Sequence, residues 1–149
     1  MKVINEEYKF SIDVPADYKE INRDDYEEYN IDESTLNVFV KMDGMIPKTI
    51  SINRDSNFSN LEEYHNLINL NILNMKNLGM NIEDESFIES LNGRRIDRII
   101  SSFRGLIFCT YFTSIRDMMI AASIELAEDD EEALRHIFSS IEEIWWIKL

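Results

Sequence analysis

Residues 91–125 decide the fold, and they read LNGRRIDRIISSFRGLIFCTYFTSIRDMMIAASIE. Asn92-Gly93 and Arg104-Gly105 interrupt the apolar runs, and Ser114–Asp117 marks a third turn. Asn-Gly is a strong hairpin signal, because a type I′ turn needs positive φ at both central positions. With Phe87–Leu91 upstream, the segment predicts a four-stranded antiparallel meander.

The last strand of this meander, Met118–Glu125, is apolar on both faces. Its apolar residues alternate, with Met118, Ile120 and Ala122 on one face and Met119 and Ala121 on the other. A strand of this kind is covered on both sides. We therefore expect it to lie in the centre of the sheet.

The chain before the meander predicts three more strands. Apolar and polar residues alternate over Tyr8–Val14, where Pro15 ends the strand, and again over Leu36–Met42. A third strand is predicted around Lys48–Asn53. Such alternation is typical of strands with one buried and one exposed face.

A first helix is predicted from Asn60 to Leu78. Ser59 and Glu62 have the spacing of a capping box, in which each side chain bonds to the backbone of the other residue. Apolar residues continue at helical spacing until Gly79 ends the helix. Asn71 lies within this apolar face, so we expect it to have a hydrogen-bond partner if it is buried.

A second helix begins at the acidic residues 129–132, which the helix dipole favours. Its apolar stripe reaches Trp145, which is expected to face the core, whereas Trp146 is expected to be exposed. The order is thus three strands, a helix, four strands and a helix. This order predicts an α+β fold, with an antiparallel sheet of about six to seven strands packed by two helices, in a single domain over residues 1–149.

The composition and the absence of known motifs exclude several classes of function. The chain has 29 acidic and 15 basic residues and a net charge of −14, so its surface repels nucleic acid. The lone Cys109 excludes disulfides and a thiolate zinc site, and is expected to be a small core residue. His65 and His136 have no further ligands at metal-binding spacing. No catalytic motif occurs, so we expect no catalytic residue, no metal and no cofactor.

The N-terminal region predicts a cytoplasmic protein. It lacks the run of about 7–15 apolar residues that a secretory signal contains. The most apolar stretch, residues 106–127, includes Arg116 and Asp117 near its middle. A membrane span does not carry such a pair without a partner, so no membrane span is expected.

The segment from Ala16 to Glu33, here called the acidic segment, is rich in carboxylates and tyrosines. Such a surface can bind a basic partner, because charge speeds association and tyrosines contribute binding energy. A solvated loop with its tyrosines turned inward is the alternative. The candidate partner-binding residues are Tyr18, Asp24, Asp25, Tyr26, Glu27, Glu28 and Tyr29, together with Trp146 as an exposed aromatic contact.

Arginines form a contrasting set on the meander. Arg94, Arg98 and Arg104 share strand parity with Ile96 and Ile100. Arginines on one face can clamp a carboxylate or phosphate ligand. Ion pairs with the many acidic neighbours are the alternative.

The element order also carries a family resemblance. It rests on the strand Phe10-Ser11-Ile12-Asp13-Val14-Pro15, the capped helix, the Leu91-Asn92-Gly93 hairpin and the closing helix. In these features the chain resembles the superfamily of the photosystem II extrinsic protein PsbP and the nuclear Ran guanine-nucleotide release factor. It looks most similar to the bacterial group that includes adaptor chaperones of secreted effectors and a phage-adsorption lipoprotein. It has neither the signal nor the lipidation cysteine of exported members, and Ran-binding residues do not match.

The resemblance implies a non-catalytic binding or adaptor protein, for example a chaperone or immunity-type partner of an exported effector. A protein partner is therefore expected, and a homodimer stays open. One alternative is a carrier that holds a small apolar ligand between sheet and helix. Its adaptable lining would come from methionines such as Met75, Met80, Met118 and Met119. An unrecognised hydrolase is a further alternative.

Overall fold

The computed structural model describes residues 1–126 and 128–145, without the side chains at 43, 46 and 128–130. Its strands are β1 Lys2–Asn5, β2 Phe10–Asp13, β3 Lys19–Glu20, β4 Thr35–Asp43, β5 Ile46–Asn57, β6 Asn81–Glu89, β7 Arg95–Phe103, β8 Leu106–Ile115, β9 Met118–Glu125 and β10 Glu142–Glu143. Its helices are α1 Leu61–Asn77 and α2 Glu128–Ser139, with a short 3-10 turn at Arg23–Asp25. Neither helix, over these residues, is long and apolar enough to cross a bilayer.

The strands form two antiparallel sheets. The larger has the order β3-β4-β5-β9-β8-β7-β6, and the smaller has the order β1-β2-β10. The α+β class and the seven-stranded sheet with two helices confirm the predicted fold class. The predicted meander is confirmed as β6–β9, and β9 is the fourth of seven strands, which confirms its central position. The small sheet was not predicted as a separate sheet: β2 was predicted within Tyr8–Val14, but Lys2-Val3-Ile4-Asn5 and Glu142-Glu143 show no alternation of apolar and polar residues.

The larger sheet is covered on both faces. One face packs against α1, where the buried residues are Tyr64, Ile68 and Ile72 of the helix and Ile99, Phe112 and Met119 of the sheet. The other face packs against α2 and the small sheet, through residues that include Phe10, Ile12, Ile96, Tyr111, Ile120, Leu134, Ile137 and Phe138. Successive residues of β7, β8 and β9 therefore serve opposite layers, as strand geometry requires.

Helix α1 is fixed at its start and along its side. Asn60 is the N-cap, since its Oδ1 accepts from the backbone N of Glu63 at 2.9 Å. The carboxylate of Glu63 accepts from the backbone N of Ser59 at 2.7 Å, so the predicted box of Ser59 and Glu62 is wrong by one residue. Asn71 donates to Asp55 of β5 at 2.8 Å and to the Leu67 carbonyl at 2.9 Å, as expected.

The β6–β7 connection differs from the predicted type I′ turn. Gly93 has a φ of 81°, but Asn92 lies outside the positive-φ region. The Gly93 backbone N donates to Ser90 O and the Ser90 backbone N donates to Arg94 O, which leaves a three-residue loop. Such loops combine a type I turn with one left-handed residue, and they need positive φ only at the glycine.

The C-terminal region corrects the second helix. Helix α2 ends at Ser139, and Glu142–Glu143 instead pair with β2 as β10. Trp145 is therefore 72% exposed, contrary to the prediction that it faces the core. It lies against Arg116, whose guanidinium donates to the carbonyls of Tyr8, Lys9 and Ile144 and so ties the β8–β9 turn to the small sheet. Trp146 lies outside the described residues.

Candidate functional site

A groove of about 770 Å³, here called the acidic groove, lies beside the acidic segment. The acidic segment and the β1–β2 connection supply most of its lining, and Arg54 of β5 completes it. The lining residues are Glu7, Tyr8, Arg23, Asp24, Tyr26, Glu27, Ile31, Asp32, Glu33 and Arg54. Five carboxylates therefore face two arginines, which leaves the groove with a local excess of negative charge.

Both arginines of the acidic groove already have neighbours. Arg23 lies 3.5 Å from a Glu7 carboxylate oxygen and 5.6 Å from the centre of the Tyr26 ring. Arg54 lies 5.8 Å from the centre of the Tyr8 ring. Such cation–π contacts hold the guanidinium groups against the walls. The exposed carboxylates of the groove remain open to a cation from solution.

The backbone around the acidic groove is held in place by short local contacts. The Ile31 backbone N donates to Tyr26 O at 2.9 Å, and this hydrogen bond closes a turn that begins at the buried Tyr26. The Ser34 backbone N donates to Asp32 Oδ1 at 2.9 Å, and the Arg54 backbone N donates to Ser34 O at 2.7 Å. These hydrogen bonds connect the acidic wall around Asp32 to β5 and so hold its backbone in place.

The three tyrosines of the acidic segment lie in different environments. Tyr18 is 2% exposed and Tyr26 is also buried, so their rings support the fold and offer little surface to a partner. Burial raises the pKa of Tyr26 above its ordinary value. Tyr29 is exposed. The inward alternative therefore describes two of the three tyrosines.

The acidic candidates divide between the acidic groove and its outer rim. Asp24 and Glu27 line the groove with Tyr26. Asp25 and Glu28 are exposed on the same segment but lie outside the lining. The geometry also adds residues that sequence reasoning missed, among them Glu7, Tyr8 and Arg54. These are brought in by tertiary contacts and have no local signal.

The structure does not bring the three candidate clamp arginines together. Arg94 precedes β7 and lines a cavity beside α1, whereas Arg104 sits in the turn at the far end of β7. Arg98 lies on the α2 face, where it pairs with Glu131 and lies 3.6 Å from Asp84. For Arg98 the ion-pair alternative therefore describes the structure.

Glu131 forms the centre of a polar cluster under α2 that sequence reasoning missed. Its Oε1 accepts from Arg98 Nε and from the Tyr111 hydroxyl at 3.2 Å, and Arg135 Nη2 lies 3.6 Å away. The hydrogen bond from Arg98 lowers the pKa of Glu131 below its ordinary value. The cluster joins α2 to β7 across 33 residues of sequence and to β8 across 20, which explains the lack of a local signal.

Cys109 lies beside this cluster and is fully buried, as expected of a core residue. Its sulfur is 3.8 Å from Glu131 Oε1. Burial, reinforced by the Glu131 charge, raises the pKa of the Cys109 thiol to about 12. A thiol in this environment is a poor nucleophile at neutral pH.

The histidines and methionines are also placed. His136 Nε2 lies 2.7 Å from Asp13 Oδ2 at the surface, and His65 packs edge-on against Tyr64. Met118 and Met119 are buried in the two apolar clusters. The five cavities seen in the described part of the chain have no methionine in their linings.

Two sheets with helices on both faces of the larger one make this a PsbP-like fold. A solved structure that it resembles is cyanobacterial PsbP (CyanoP) from Synechocystis sp. PCC 6803. The match covers 96% of this chain and 91% of that chain, with a TM-score of 0.61 and 10% sequence identity. No protein-family model and no curated protein matches the sequence.

This likeness confirms the predicted PsbP-like fold. At 10% identity it shows the fold alone, because one fold carries many functions. The closer similarity to bacterial effector adaptors and phage-adsorption proteins stays a prediction.

Proposed function

We propose that this protein is a non-catalytic binding protein of the cytoplasm, which holds a cationic segment of a partner protein in the acidic groove. The observation that carries the proposal is the groove itself, where five carboxylates line one concave surface. The net charge of −14 adds a long-range field that speeds the approach of a basic partner.

The fixed backbone of the groove also supports binding. Tyr26 and the Ser34–Arg54 hydrogen bond hold the acidic wall in position before any partner arrives. A preformed surface costs less conformational entropy on binding than a flexible loop. Exposed Tyr29 provides an aromatic contact next to the groove, in keeping with the role of tyrosine at protein interfaces.

The test compares two variants that lose the same charge. The groove variant carries Asp24→Asn, Glu27→Gln and Glu33→Gln. The control carries Glu62→Gln, Glu85→Gln and Glu89→Gln, which are exposed positions outside the acidic groove. Both variants and the wild type are used to enrich partners from the native host at low and high salt, with quantitative mass spectrometry.

We expect a partner retained by the wild type and the control, and reduced about tenfold with the groove variant at low salt. Its retention should weaken as salt increases, since salt screens exposed charges. If both variants retain the partner equally and less than the wild type does, total charge and not the groove attracts the partner. Recovery of nothing above background at either salt concentration contradicts the proposal.

A further inference from the structure

A second cavity has the opposite electrostatic character. It measures about 330 Å³ and lies between the start of α1, the β6–β7 loop and the end of β8. Phe58, Leu61 and Tyr64 form its apolar wall, and Arg94, Arg95 and Ser114 line the other side. It shares no lining residue with the acidic groove.

Arg94 has an incomplete set of partners in this cavity. Its Nη1 donates to the carbonyl of Ser114, but its Nε is buried and has no hydrogen-bond acceptor among the described residues. No ion pair in the described part of the chain includes Arg94, although acidic residues outnumber basic ones by 29 to 15. Burial lowers the pKa of its guanidinium, and the negative charge of Glu143, which lies outside the lining, opposes that shift only in part.

The neighbouring arginine does not share this condition. Arg95 lies 3.2 Å from a carboxylate oxygen of Asp97 and stacks 4.2 Å from the centre of the Phe87 ring. Asp97 also accepts from the Tyr64 hydroxyl at 3.3 Å. Of the two arginines in this lining, Arg94 is therefore the one that forms no ion pair with a described residue.

Four other cavities in the described residues each include at least one carboxylate in their lining. The Arg94 cavity includes none. In a protein of this charge, a concave surface with a cation and no carboxylate is a local exception. Such a surface favours an anion over a cation.

We propose that the Arg94 cavity binds a small organic monocarboxylate, with its carboxylate at Arg94 and an aromatic or branched apolar group against Phe58, Leu61 and Tyr64. The carboxylate supplies the direct ion pair that Arg94 does not form with any described residue. The apolar group covers Leu61, which is 66% exposed. A volume of about 330 Å³ suits a ligand at the small end of the usual range.

The charge balance of the cavity also argues against a phosphate monoester. Such a ligand brings close to two negative charges at neutral pH, whereas Arg95 is already paired with Asp97 and Arg94 carries a single positive charge. The negative field of the remaining protein opposes a dianion more strongly than a monoanion. The proposal goes beyond the partner-binding function, because it concerns a different cavity and a ligand of opposite charge.

The experiment titrates the full chain with 3-phenylpropionate, its neutral amide 3-phenylpropanamide, and phenyl phosphate, followed by NMR. We expect the carboxylate to bind at least tenfold more tightly than the amide and to shift the Arg94 Nε–H and Tyr64 signals. Tighter binding of phenyl phosphate, equal binding of the amide, or no binding of the carboxylate would overturn the proposal.

Two matched variants localise the effect. Arg94→Gln should weaken 3-phenylpropionate binding at least tenfold, whereas Arg104→Gln, which removes the same charge from an exposed turn, should leave it within twofold. Equal weakening in both variants would contradict the assigned site. If Arg94→Gln does not fold, the wild-type preference for carboxylate over amide and the Arg94 Nε–H shift decide the question. Neither measurement depends on the acidic groove, so failure of the carboxylate proposal can be distinguished from failure of the partner-binding proposal.

Discussion

The two faces of the seven-stranded sheet are covered to different degrees. Under α2, Leu134, Ile137 and Phe138 are fully buried, and the small sheet extends the same core. Under α1, the buried cluster is smaller, and Leu70 and Leu73 of the helix are exposed. The α2 face therefore contributes most of the burial that stabilises the fold, although cavities lie beside both helices.

The arginines beside the two helices also differ in whether they form an ion pair. Arg98 under α2 finds Glu131, a carboxylate positioned by the helix. Arg94 beside α1 donates to a backbone carbonyl and forms no ion pair with a carboxylate of the described residues. On the α2 face the arginine is paired with a carboxylate, whereas beside α1 an arginine without an ion pair among the described residues lines a cavity.

The largest expected effect separates the two cores. Phe138→Ala should lower the free energy of unfolding by about 3–5 kcal/mol, because the ring is fully buried and contacts Tyr111 edge to face. Ile72→Ala should cost less, near the lower end of the about 2–5 kcal/mol range, because the α1 face can relax more easily. Urea unfolding followed by circular dichroism measures both. A larger loss for Ile72→Ala would reverse the comparison of the faces.

A smaller effect tests the ion pair under α2. Glu131→Gln should lower the free energy of unfolding at neutral pH by about 1–2 kcal/mol, since Arg98 loses the nearer of its two countercharges and keeps the exposed Asp84. The pKa of Glu131 is lowered in the folded state, so its contribution is present above its ordinary value of 4.5 and is lost as pH falls below it. Wild type and variant should therefore converge in acid.

Unfolding curves from pH 7 to pH 3 measure that convergence. The control is Glu125→Gln, which removes an exposed carboxylate at the end of β9. A constant difference between wild type and Glu131→Gln across this range would contradict the assigned role of Glu131.

The smallest expected signal is alkylation of Cys109. Its thiol is buried and its pKa is about 12, so iodoacetamide at pH 8 should label it only when the protein unfolds. An exposed control thiol, Ser86→Cys in a Cys109→Ala background, should react quickly. Intact-mass spectrometry over time compares the two. Rapid labelling of native Cys109 would show that the α2 face opens readily.

The meander could be predicted from local signals. Glycine turns separate β6 from β7 and β7 from β8, the segment Ser114–Asp117 marks the turn before β9, and the apolar character of both faces of β9 placed it in the centre. The end of α2 could not be predicted, because Ile141 and Ile144 fit a helical stripe and are buried equally well beside β10. The choice depends on pairing with β2, which is more than a hundred residues away in the chain.

The candidate site was predicted only in part. The acidic segment was recognised from its composition, and Asp24 and Glu27 do line the groove. The opposite wall, with Glu7 and Arg54, comes from distant strands and leaves no mark in the local sequence. Burial of Tyr18 and Tyr26 likewise depends on which side of the segment meets the core.

By itself, the sequence determined the fold class, the meander and the surplus of negative charge. These follow from alternation, turn residues and composition, which act over a few neighbouring residues. Only the tertiary structure decided that Arg98 forms an ion pair with Glu131, whereas Arg94 forms no ion pair with a described residue. Whether a charge is paired depends on how distant elements pack, and strand parity alone does not contain that information.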